Sequence, residues 1–331
     1  MNKLDQIISK GNTPSAPFLA LPGLQKLPFN ITQALQNPYL HYQLIQTNYA
    51  LFQPDIVFPI MDLSLEASAL GKEVVFQNDK LPIIIDSEKS IPSNIFSDKM
   101  MDNWRIKYYL QTIKLMRDNL PKNVIRAAYV TAPFTLAALL LGFEKAKNEV
   151  ETNSNYLEML IQFCTQKTIE LITELKQNGA ELICILDPAA SLLQPKFFSD
   201  YSKNSLSKIT DACNDLKLIS ILHICGKTNK LINQLINNNF SGFSLDSIEV
   251  GINLEAVAKL VSDDTYLFGN ISPTGTILTG TSDEVKEEVQ SLLSKMSKTK
   301  KFILGTACDL PKNVPLENIH AFISQIKKGH L

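Results

Sequence analysis

The chain has 331 residues, 45% of them hydrophobic and 20% charged, with a formal net charge of −1. That length buries a large core, and α/β barrels of this size form one domain. The balanced charge excludes a nucleic-acid binder held by counterion release, and no apolar run approaches the roughly 18 residues of a membrane span. The amino-terminal stretch 1–18 lacks a continuous apolar segment and a cleavage pattern, so no signal peptide is expected. Cys164, Cys184, Cys213, Cys225 and Cys308 are an odd, sparse set, which points to a reducing cytoplasm rather than a disulfide framework. Only Arg105, Arg117 and Arg126 carry guanidinium groups, so a site that clamps a polyanion with several arginines is hard to build.

In chain order, short and nearly continuous apolar runs fall at 16–21, 55–60, 125–134, 181–187, 218–225, 242–246, 265–270 and 301–308. Such runs read as strands buried on both faces. Segment 22–54 is long, aromatic and proline-containing, and reads as an insertion over a barrel mouth or a partner-facing element. Segment 77–104, polar and holding Pro82 and Pro92, reads as a surface excursion. The spacing predicts helices over 154–179, stopped by Gly179, over 228–239, and over 281–296, capped by Thr281 or Ser282. Eight strands alternating with helices, without a GxGxxG or GxxxxGK[ST] loop, predict an α/β chain forming a single (β/α)8 TIM barrel over 1–331. Residues 1–50 form a divergent amino-terminal extension, expected over the mouth.

Barrel chemistry gathers at the carboxyl ends of strands. Those ends supply Asp62 and Glu66, then Asp187, His223 with Cys225, Asp246, Asn270 and Cys308. In a strand, residues i and i+2 share a side, so His223 and Cys225 aim at one point while Ile224 faces the helices. Cys308, at the last strand end, points to the same axis. Two thiolates and an imidazole are a borderline-soft donor set that suits Zn²⁺ and leaves a fourth position open. The competing reading makes the three ordinary buried residues. Asp187 is either a turn cap or a carboxylate beside the metal, and Asp246 and Asn270 carry the same ambiguity. Asp62 and Glu66 also read as a helix start. Cys164, Cys184 and Cys213 read as core residues, and His41, His320 and His330 as surface or structural residues.

TAPFTLAALLLG (131–142), ILDPAASLLQPKFF (185–198), LHICGKT (222–228), FSLD (243–246), LFGNISPTGTILTGTSDEVKEEV (267–289) and ILGTACDLPKNVPLENIHAF (303–322) resemble the uroporphyrinogen decarboxylase superfamily from about residue 50 onward. The resemblance is to its zinc-dependent methylcobalamin:coenzyme M methyltransferase branch. It implies that His223, Cys225 and Cys308 hold zinc, which keeps a substrate thiol as thiolate for attack on a methyl group. It implies catalytic roles for Asp187 and Glu66, and substrate contacts for Asn270 and Asp246. The implied donor is methylcobalamin or a protein-bound methyl-corrinoid, and the acceptor a small thiol such as coenzyme M. No DxHxxG corrinoid motif occurs here, so the corrinoid is expected to arrive free or on a separate protein; self-association stays open. The alternatives are a tetrapyrrole decarboxylase, a non-catalytic zinc- or corrinoid-binding relative, or methyl transfer between a thiol and a pterin. The decarboxylase branch carries an arginine-rich RQAGRY-type segment that this chain lacks.

Overall fold

A computed structural model describes residues 1–85, 94–96 and 98–327. Ten strands occur among them. They are β1 (Ser15–Ala16), β2 (Ile56–Val57), β3 (Val74–Gln77), β4 (Lys80–Ile84) and β5 (Ile125–Thr131), followed by β6 (Leu182–Leu186), β7 (Ile219–Ile224), β8 (Gly242–Leu245), β9 (Tyr266–Ile271) and β10 (Phe302–Thr306). Eight of them lie in the order β1-β10-β9-β8-β7-β6-β5-β2, with every pair parallel. The two ends of that order meet through Asp55. Its N–H donates to the Ser15 carbonyl at 3.1 Å, and its carboxylate accepts from the Ser15 N–H and hydroxyl at 2.8 and 2.7 Å. The sheet therefore closes into a (β/α)8 barrel, and each expected strand is present. The third is shorter than its apolar run, because Pro133 starts a helix and takes the backbone out of the sheet after Thr131.

Alternation explains the two-layered core. Ile125, Ala127 and Tyr129 join Leu182, Cys184, Leu186, Ile219 and Ile221 inside the barrel. Their neighbours Ala128, Val130, Ile183, Ile185, Leu222 and Ile224 pack outward against the helices. Cys184 lies in the inner layer, and Cys164 and Cys213 lie in the outer one, as expected of core cysteines. The helix Asn155–Asn178 ends at Gly179, whose φ of 111° suits a residue without a Cβ. The helix Ser282–Lys295 starts with a reciprocal capping box between Thr281 and Glu284. The helix expected over 228–239 shrinks to a turn at Asn229–Leu231 and one turn at Ile232–Leu235. There the Asn238 side chain bonds the carbonyls of Gln234 and Leu235, a local alternative to helix continuation.

The first fifty residues are built into the barrel. The helix Lys3–Ile8 lies under its amino-terminal face. Lys3 Nζ donates to the Val124 carbonyl and pairs with Glu181, while the Tyr266 hydroxyl donates to Asp5. Leu4 is fully buried in the inner layer. The helix Pro38–Phe52 links β1 to β2 in the outer ring, packed on the helices Trp104–Asn119 and Leu316–Lys327. Only the segment around the short helix Ile31–Leu35 stands near the mouth, beside the β3–β4 hairpin, where Thr32 bonds the Gln77 and Asn78 carbonyls. That hairpin begins the expected excursion; Pro92 and His330 lie outside the described residues. His41 is a core residue whose Nε2 accepts the Ile60 N–H at 2.9 Å. The exposed His320 packs its ring on Phe52. Among the described residues no helix is long and apolar enough to cross a membrane.

Candidate metal centre

β7 sets His223 on the inner side of the barrel in series with Ile219 and Ile221, and Ile224 faces the helices. Cys225 follows at the strand end, and Cys308 lies two residues beyond β10. His223 Nε2 is 3.0 Å from Cys225 Sγ, and the two sulfurs are 3.4 Å apart. All three donor atoms fall within 4.8 Å of one another. Ligand bonds of about 2.0–2.3 Å around a tetrahedral Zn²⁺ give edges of roughly 3.4–3.8 Å, so the donors need only small shifts to embrace an ion. The donor set, two thiols and an imidazole on one point, fits a zinc ion with an open fourth position.

The register of the sheet supplies the support. His223 lies opposite Leu186 on β6 and Ser244 on β8. Ser244 Oγ is 3.0 Å from His223 Nδ1. With Nδ1–H donating to that hydroxyl, Nε2 keeps its lone pair for the thiols, the tautomer that a metal requires. Phe18 reaches the imidazole edge-on from the other wall, with ring centroids 5.2 Å apart. The Cys225 thiol donating to Cys308, with His223 alongside, lowers the Cys308 pKa, and the same contact raises that of Cys225. One thiolate is thus favoured here, and the second needs a cation between them.

The other expected residues are distributed around the rim. Asp187 is wholly buried, its N–H donating to the His223 carbonyl at 3.0 Å and its Oδ1 accepting from the Thr135 hydroxyl at 2.6 Å. Burial without a cation pushes its pKa up to about 7. Glu66 is buried too, its carboxylate accepting from the Thr131 N–H and hydroxyl at 2.7 and 2.9 Å. Burial raises its pKa to about 7 against those two bonds. Asp246 accepts from the N–H groups of Gly226 and Ser247, at 2.6 and 2.7 Å, and so holds the turn that follows Cys225. Asn270 donates to the Asp246 and Ile252 carbonyls, tying β9 to the turns after β8. Asp62 caps the helix Ser64–Ala69 through the Ser64 N–H and forms a buried pair with Arg105.

Sequence reasoning missed Ser244, Thr131 and Thr135. Ser244 had a signal, as a hydroxyl inside an otherwise apolar strand. Thr131 and Thr135 did not, because their partners come from other elements. All three arginines are held in pairs. Arg105 pairs with Asp62, Arg117 with Asp118, and Arg126 with Glu181 at the amino-terminal face.

The uroporphyrinogen decarboxylase (URO-D) family profile matches residues 25–329. The chain belongs to the uroporphyrinogen decarboxylase family. Within this family it is 26% identical over 297 residues to the methylcobamide:CoM methyltransferase MtaA of Methanosarcina barkeri, covering 88% of this chain and 85% of that protein. It is 23% identical over 288 residues to a methylated-thiol–coenzyme M methyltransferase of Methanosarcina mazei, covering 86% and 76%. It is also 23% identical over 303 residues to a uroporphyrinogen decarboxylase of Prochlorococcus marinus, covering 88% and 85%. A solved methyltransferase from Methanosarcina mazei shares the fold across 99% of this chain and 98% of its own, with a TM-score of 0.86 at 21% identity.

Proposed function

We propose that this member of the URO-D family is a zinc-dependent methyltransferase that moves a methyl group from a corrinoid to a small thiol. The observation that carries the reading is the meeting of His223, Cys225 and Cys308 at the carboxyl end of the barrel. Zinc held there supplies a Lewis acid that keeps a thiol in its fourth position ionised near neutral pH. In the reaction a sulfur–carbon bond forms and the cobalt–carbon bond breaks. Its electron pair stays with the corrinoid, and the proton of the thiol is released.

The chain's own part is to set the donors and shape the mouth. Ser244 fixes the His223 ring, and Asp246 fixes the turn carrying Cys225 and Gly226. Asn270 acts on the mouth by holding Asp246. Asp187 and Glu66, each with a pKa near neutrality, serve as proton acceptors for the incoming thiol or as supports of the site. The donor is methylcobalamin or a methyl-corrinoid on a separate protein, and the acceptor is a thiol of the size of coenzyme M, which the relatives' names print. Engagement of all three arginines counts against an octacarboxylate tetrapyrrole as substrate.

The test is the metal content of the purified protein beside a Cys225→Ser variant, followed by methylcobalamin consumption with a panel of thiols. About one zinc per chain, lost in the variant, with thiol-dependent demethylation is expected. A protein free of zinc after growth in zinc-supplemented medium overturns the reading.

A further inference from the structure

Cys225 and Cys308 are a pair of thiols as well as a pair of donors. Their sulfurs lie 3.4 Å apart. The other three cysteines, Cys164, Cys184 and Cys213, are buried in the core. Cys225 and Cys308 are half-buried at the mouth, each just beyond the end of its strand. A small oxidant arriving from solvent therefore meets these two sulfurs before any other.

Hydrogen bonds outside the cluster hold the two sulfurs in contact. Gly226, next to Cys225, donates its N–H to Asp246 at 2.6 Å. On the other side Ala307 donates to the Ile271 carbonyl at 2.7 Å and Leu310 to the Phe18 carbonyl at 3.0 Å, with Cys308 between them. None of these bonds uses a sulfur or imidazole atom, so the contact belongs to the fold of the two turns. A disulfide has a sulfur–sulfur bond of about 2.0 Å, which leaves the pair about 1.4 Å to close. Rotation of the two side chains with a small shift of the turns covers that distance.

We infer that Cys225 and Cys308 form a reversible redox switch, in which a peroxide joins them in a disulfide and the chain gives up its metal. This rests on the zinc methyltransferase reading and adds a regulation of that same site. In the first step one sulfur takes an oxygen from hydrogen peroxide. The O–O bond breaks, a sulfenic acid forms and one water leaves. In the second step the other sulfur attacks the sulfenic sulfur. The S–S bond forms, the S–O bond breaks and a second water leaves. Two thiols and one peroxide thus give one disulfide and two waters, a two-electron oxidation. Disulfide sulfurs are not thiolate ligands, so the oxidised chain keeps only His223 toward the ion and releases it. A dithiol reverses the change by exchange, becoming a disulfide itself.

The zinc content of the full-length protein, purified with reductant, is measured first and decides the metal reading by itself. Hydrogen peroxide is then added in slight excess. The chain is followed by intact mass, by a non-reducing peptide map and by a chromophoric zinc chelator. The expected result is a loss of two hydrogens per chain, one linked pair of peptides holding Cys225 and Cys308, and release of about one zinc per chain. Dithiothreitol is expected to reverse all three. Cys225→Ser and Cys308→Ser are each expected to lose the link and to leave a sulfenic acid that dimedone traps on the remaining cysteine. Zinc bound at the start and retained after peroxide overturns the inference and leaves the methyltransferase reading in place. So does zinc released with oxygen atoms added and no link between Cys225 and Cys308. A chain that holds no zinc at the start overturns the metal reading and the switch with it.

Discussion

Cys225 and Cys308 come from strands three places apart in the barrel, yet their sulfurs lie 3.4 Å from each other. Removing one should disable the centre without disturbing the inner core below it. Cys308→Ala is expected to lose zinc and methyl transfer while its urea midpoint stays near that of the metal-free native protein; full activity in this variant would sink the mechanism. Ser244→Ala removes the hydroxyl beside His223 Nδ1 and is expected to weaken zinc about 10–100-fold in a competition assay with a chelator. Glu66 supplies a pH test. Its pKa of about 7 in the fold, against an ordinary 4.5, means the folded state keeps a proton that the unfolded chain releases between those values. Stability should therefore fall as pH rises from about 4.5 to about 7, by up to about 3 kcal/mol from this group. Glu66→Gln, which still accepts the Thr131 N–H, should flatten that part of the stability profile; an unchanged slope in denaturant titrations at pH 5 and pH 8 would show that Glu66 is already ionised.

At the scale of elements, local signals marked the ends that local chemistry decides. Gly179 at a left-handed stop and the Thr281–Glu284 capping box both lie where their residue types indicate. Residues 228–239 show the limit, because the Asn238 side chain there bonds the local backbone instead of a helix continuing. The amino-terminal helix shows another. Nothing in Lys3–Ile8 says which face of the barrel it covers, since its partners Val124, Glu181 and Tyr266 lie more than a hundred residues away. Leu4→Ala is expected to destabilise the protein by about 2–4 kcal/mol in urea titration, through a cavity at the barrel floor. Zinc content should be unchanged, because the His223, Cys225 and Cys308 cluster lies at the opposite end.

Over the whole molecule, one closed parallel barrel brings the ends of eight chain segments to one rim, and function follows from which side chains stand there. Arg105 is held in a buried pair with Asp62, Arg117 lies in an exposed pair with Asp118, and Arg126 pairs with Glu181 at the amino-terminal face, which leaves the mouth without a free guanidinium for polycarboxylates. The protein is accordingly expected to release no carbon dioxide from uroporphyrinogen under conditions where a decarboxylase of the family does, as a tetrapyrrole assay would show. The sequence by itself determined the eight strands, their parallel order, and the shared direction of His223 and Cys225. Those properties follow from apolar runs, crossover helices and the two-residue period of a strand, all of them local. Only the tertiary structure decided that Cys308 closes on that pair, that Ser244 stands beside the imidazole, and that Thr131 and Thr135 hold Glu66 and Asp187. Each of these depends on register between distant strands and on what burial excludes, and neither is written in the spacing of residues along the chain.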